Sequence, residues 1–205
     1  MKKITLLILC LLAVNLVSFA QEHGKMGLRV AAGFSTLHDD LYKFIPIPAY
    51  SLGIIFLEKD KPFSIRYELA FESKGASYKQ EKNSYLLSIR EENKFTLGAM
   101  SLNIVPQFKF TKNKALLSGV YCSYLLGTGI SPSLSYPAES VRFSHFDLGL
   151  IVAYKYTFFR SSRLSLQIDP RFSYSLLNIN KQELGSSKWT RNAVAQVGLN
   201  FIIGK

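Results

Sequence analysis

Apolar and polar residues alternate one by one along most of this chain, and helical spacing never persists. In FSIRYELAFESK (63–74), Phe63, Ile65, Tyr67, Leu69 and Phe71 alternate with Ser64, Arg66, Glu68, Ala70 and Glu72. Successive side chains of an extended chain point to opposite faces, so this period of two predicts strands. Eight segments carry it: 26–35, 49–57, 63–78, 95–110, 115–129, 145–156, 164–176 and 191–203. In the first, Leu28, Val30, Ala32 and Phe34 share a face and Arg29 takes the other. The sixth sets Phe146, Leu148, Leu150, Val152, Tyr154 and Tyr156 against His145, Asp147, Gly149, Ala153 and Lys155. The seventh sets Ile168 and Phe172 against Asp169 and Arg171. The fifth has no assignable facing, because both parities mix small and apolar residues. Pro106 removes a ladder donor from the fourth, which predicts a bulge or bend there.

The connections alternate as well. EKDKP, TKNK and FRSS are short, whereas STLHDDLYKFIPIP, KQEKNSYLLSIREEN, TGISPSLSYPAESVR and NINKQELGSSKWT are long. Short turns at one end and long loops at the other, with both chain ends on the short-turn side, describe an outer-membrane barrel of eight antiparallel strands. The segment KQEKNSYLLSIREEN reads either as a hairpin extension above the membrane or as a loop folded over the barrel mouth.

A soluble lipocalin-like barrel would turn the apolar face inward. Three features favour the inverse. Several segments reach ten residues or more, the length of a tilted bilayer crossing. Aromatics recur near the ends of the apolar faces, as at Phe63, Tyr154, Tyr156 and Phe201, where interfacial girdles belong. The connections are also sorted by length. The charge ladder of Arg66, Glu68, Glu72, Lys74, Asp147, Lys155, Asp169 and Arg171 then points into the lumen. Turning the third strand over would place Arg66 and Lys74 in lipid, at roughly 2–4 kcal/mol each near the midplane. An eight-stranded barrel is only wide enough for its own side chains, which favours a structural plug of ion pairs over a proton or ion path.

The chain opens MKKITLLILCLLAVNLVSFAQ, with a basic start, an apolar run and a small-x-small site at Ser18-Phe19-Ala20. That is the layout of a secretory signal peptide cleaved after Ala20. It leaves a short tail over 21–25 and a barrel domain over 26–205. Losing Lys2 and Lys3 takes Lys+Arg from 25 to 23 against 14 acids, a net charge of about +9. For an exported protein such basicity points to anionic lipid head groups or lipopolysaccharide phosphates rather than to nucleic acid. Cys122 is the one cysteine left, which excludes an intramolecular disulfide and a cysteine-based metal site.

Candidate chemistry is sparse. Ser144, His145 and Asp147 invite a triad reading, but neighbours along a strand face opposite ways, so Ser144 and His145 do not simply pair. His23 falls in the tail. His38, Asp39 and Asp40 form a loop cluster that tests for a rim enzyme or a metal, without a second histidine to complete a zinc site. No cofactor is implied, since the glycines lie in strands or turns rather than in a phosphate-binding loop. Trp189 is placed as an aromatic anchor near the outer rim.

The segments resemble the PorT-like outer-membrane β-barrel proteins of Gram-negative bacteria. The likeness rests on YELAFESKGASY, MSLNIVPQFKF, SGVYCSYLLGTG, HFDLGLIVAYKY, PRFSYSLLNIN and NAVAQVGLNF, taken in that order over most of the processed chain. It implies a barrel in the outer membrane, with a structural or interaction role accessory to envelope assembly or protein secretion through the long loops. A barrel-borne lipid A-modifying enzyme and a small pore are the rival readings.

Overall fold

The computed structural model describes residues 24–39, 44–58, 61–84, 87–131, 144–178 and 190–204. Their strands are β1 (Gly24–Asp39), β2 (Phe44–Ile45), β3 (Ile47–Glu58), β4 (Phe63–Ser84), β5 (Leu87–Lys109), β6 (Lys114–Ser131), β7 (Phe146–Arg160), β8 (Leu164–Ser175) and β9 (Thr190–Ile203). β1 pairs with β3 on one side and β9 on the other, and each later strand pairs with the next through β9, all antiparallel. The ring of eight long strands therefore closes and leaves no sheet edge around its wall. β2 is a two-residue continuation of β3 past Pro46, laid against Tyr78 and Ser77 of β4.

The period of two becomes an inside and an outside. β9 alternates along its length and β7 as far as Thr157, with Leu148, Leu150 and Val152 outward and Asp147, Ile151 and Ala153 inward. β6 also takes a definite facing: Leu117, Tyr121, Ser123 and Leu125 point in, and Leu116, Val120, Cys122 and Leu126 point out. Its inward row is largely apolar because Ala115, Leu117 and Tyr121 pack with Val105, Ile151 and Ala153 in a cluster inside the wall. Hydropathy therefore could not separate the two faces of this strand.

Three expectations are corrected. β1 starts at Gly24, inside the stretch expected as a tail, because Gly24 and Lys25 pair with Glu58 and Leu57. Pro106 makes no bulge. The β5–β6 ladder skips pairs at Val105 and Pro106, then resumes at Gln107↔Leu117 in the register of Ile104↔Val120. The missing donor thins the ladder without inserting a residue. Register shifts fall instead between Gly98 and Ala99 of β5 and between Thr157 and Phe159 of β7. β8 ends at Ser175, one residue short of the expected end.

The turns after β3, β5 and β7 gather at one end with Gly24 and Gly204. Polar side chains close two of them: Thr111 Oγ1 accepts from the Asn113 and Lys114 amides, and Ser161 Oγ from those of Arg163 and Leu164. At the other end β4 and β5 stay paired out to Ser84↔Leu87, while β2 stops at Tyr78 and β6 at Lys94. Residues 79–84 and 87–93 thus form a hairpin extension, a two-stranded ribbon roughly 20 Å long at about 3.4 Å per residue. Its backbone register pairs Lys79 with Glu92 and Glu81 with Arg90.

Candidate functional site

The inward parity of β4, β8 and β1 delivers Arg66 and Glu68, Asp169 and Arg171, and Arg29 to the middle of the lumen. All five are 0–7% exposed. β4 and β8 stand on opposite sides of the eight-stranded ring. Arg171 reaches across it, donating from Nη1 and Nη2 to the two carboxylate oxygens of Glu68 at 2.7 Å each. This fork geometry is the strongest arrangement an arginine and a carboxylate can make. Arg66 pairs with Glu68 through Nε and lies 3.3 Å from Asp169 through Nη2. Arg171 also touches Asp169 at 3.1 Å, and Arg29 approaches it at 3.6 Å. Neutral groups complete the knot: Asn103 donates to Glu68, Arg66 to Asn200, and Arg29 to Ser51. Gly198 permits the packing, because a Cβ there would stand 2.1 Å from Asp169 Oδ1 and 2.9 Å from Arg29 Nε.

A second knot lies nearer the long connections. Lys74 donates to Asp147 at 2.9 Å, and the hydroxyls of Tyr121 and Ser175 donate to the same carboxylate. Glu72 stands 3.8 Å from Lys74, whose ammonium sits 5.1 Å over the Tyr121 ring. Lys155 joins neither knot. It donates to Gln107 Oε1 at 2.8 Å, and Gln107 donates on to Ser64.

The eight ladder residues thus divide among three sites. Arg66, Glu68, Asp169 and Arg171 meet in the centre; Glu72, Lys74 and Asp147 meet above them; Lys155 takes a neutral partner. Sequence reasoning left out Arg29, although its lone charge on the polar face of its strand was the available signal. It also left out Tyr121, Asn103 and Asn200, which carried no such signal.

Apolar clusters flank the polar centre. Leu37, Phe95, Leu97 and Leu125 pack inside the barrel toward the long connections, and Ile55, Leu57 and Ile202 toward the turns. Outside, the rule is reversed: Leu28, Val30, Leu150, Val152, Val197 and Leu199 are 45–51% exposed. Buried charges inside an outward apolar wall fit a barrel surrounded by hydrocarbon, the construction of outer-membrane barrels.

The candidate catalytic residues separate. Ser144 Oγ accepts from the Phe146 amide, and the exposed His145 ring stacks on Tyr124 at 6.0 Å. Asp147 points away into the lumen. His38 is exposed near the end of β1, while His23, Asp40 and Trp189 lie outside the described residues. Among the described residues, no group of three or more His, Cys, Asp and Glu side chains is placed to hold a metal ion.

No protein-family model matches the chain, and no curated protein matches it. Solved structures do. The attachment invasion locus protein Ail of Yersinia pestis, solved with the heparin analogue sucrose octasulfate, is 14% identical with a TM-score of 0.48, covering 88% of this chain and 99% of its own. Neisserial surface protein A is 15% identical at 0.49, over 85% and 95%. OprG of Pseudomonas aeruginosa is 9% identical at 0.47, over 89% and 98%.

Proposed function

We propose that the protein is an integral outer-membrane barrel of a Gram-negative bacterium that serves as a structural or interaction protein and does not conduct. The observation that carries this reading is the Glu68–Arg171 fork spanning the lumen at the heart of a buried network of ion pairs. A path for ions would have to break a buried, bidentate ion pair. Specificity then belongs to the long connections and the 79–93 ribbon. Envelope or secretion proteins are the partners there, in keeping with the PorT-like resemblance, and lipid or lipopolysaccharide surrounds the wall.

Planar-bilayer recordings of the purified protein test the closed lumen. No reproducible conductance steps are expected, and steps of constant size would overturn the plug. The non-enzymatic part of the reading is tested by mass spectrometry of lipid A from cells with and without the gene. Unchanged acylation is expected; a gene-dependent change in acyl chains would make the protein a lipid-modifying enzyme instead.

A further inference from the structure

The surplus positive charge of the chain collects at one end of the barrel. Lys61 is exposed between β3 and β4, and Lys112 and Lys114 are exposed at the β5–β6 turn. Arg160 and Arg163 are exposed at the β7–β8 turn, and Lys25 and Lys109 stand half-buried beside them. Among the described residues of this rim, Glu58 is the acid set against them. Arg160 donates to the Lys112 carbonyl at 3.0 Å, so adjacent turns join into a continuous collar. Signs are mixed elsewhere. The ribbon and its base carry Lys79, Lys82, Arg90 and Lys94 with Glu81, Glu91 and Glu92, and the lumen is nearly balanced.

A band of outward aromatic rings lies just inside the collar. Phe63, Phe108, Phe110, Tyr156, Phe158 and Phe159 are 40–59% exposed. Such rings settle at the headgroup level of a bilayer. Cations a few residues farther toward the turns then stand at the lipid phosphates. The rings face sideways into the membrane, where lipid rather than a periplasmic protein meets them.

We propose that this collar binds the anionic phospholipid headgroups of the periplasmic leaflet and anchors the barrel from the side opposite its long connections. The proposal rests on the membrane reading above, with the short turns on the periplasmic side.

Electron paramagnetic resonance of the protein in phosphatidylcholine vesicles, with a trace of spin-labelled phosphatidylglycerol or phosphatidylcholine, tests it. The immobilised fraction reports which lipid the wall holds. The anionic lipid is expected to associate about threefold more strongly at low salt and near parity at about 1 M salt. Replacing the exposed turn cations together (K112Q/K114Q/R160Q/R163Q) is expected to abolish the preference, whereas Lys94→Gln at the opposite end leaves it intact. The salt comparison uses the unaltered protein, so poor folding of the fourfold variant does not decide the result. Equal association of both lipids at low salt would overturn the proposal and leave the collar to an acidic protein surface. A preference that survives in the folded fourfold variant would overturn it too. If neither lipid is immobilised at all, the membrane reading itself fails.

Discussion

Glu68→Ala is expected to remove about 3–5 kcal/mol of folding free energy, because it leaves buried guanidinium groups without their counter-charge. Glu68 accepts from both terminal nitrogens of Arg171 and from the Asn103 amide, and it is ion-paired with Arg66. Among the described residues the other carboxylate of the centre is Asp169, which already faces Arg29, Arg66 and Arg171. Reversible urea unfolding in lipid vesicles measures the loss. Exchanging both ends of the bridge for apolar side chains, Glu68→Leu with Arg171→Leu, is expected to cost less than Glu68→Ala alone, because Asp169 then faces two guanidinium groups, Arg29 and Arg66, rather than three. A loss below about 1 kcal/mol for Glu68→Ala, the range of exposed ion pairs, would mean that water rather than protein solvates the centre.

Leu150→Arg carries the second large effect. Leu150 points outward at mid-strand, between Val120 and Tyr174, and is 47% exposed. On a protein surrounded by water such a change at a half-exposed position stays within about 0.5 kcal/mol. On a barrel wall at the bilayer midplane it costs roughly 2–4 kcal/mol, falling toward the rim. The same unfolding experiment reads the difference. Leu176→Arg, just beyond the end of β8 on the side of the long connections, supplies the shallow comparison and is expected to cost clearly less.

The barrel was legible in the chain because its two environments differ so sharply in polarity. Where one parity held Arg66, Glu68, Asp169 or Arg171 and the other held Leu and Phe, the facing could be read directly. It failed at β6, where Leu117, Tyr121 and Leu125 turn inward against apolar neighbours on β5 and β7. Lys155 shows a second limit. A buried lysine suggests a carboxylate, but the group that reaches it, past the intervening β6, is Gln107, and which residues meet depends on the stagger of the closed ring. The central bridge has the same origin. Glu68 and Arg171 are far apart in sequence, and closure alone sets β4 opposite β8. The hairpin extension and the loop over the mouth stayed equivalent in the sequence because backbone pairing decides between them, and pairing carries no hydropathy signal.

The outward direction of the apolar row can be read at a single native side chain. Cys122 sits on the exposed face of β6, opposite Leu102 and Leu148. With Cys10→Ser making it the unique thiol, a nitroxide attached there in vesicle-embedded protein reports whether lipid or water collides with it. The label is expected to be readily relaxed by dissolved oxygen, which concentrates in hydrocarbon, and shielded from a water-soluble nickel complex. Free collision with the nickel complex and little with oxygen would put that face in water and contradict the inverted barrel.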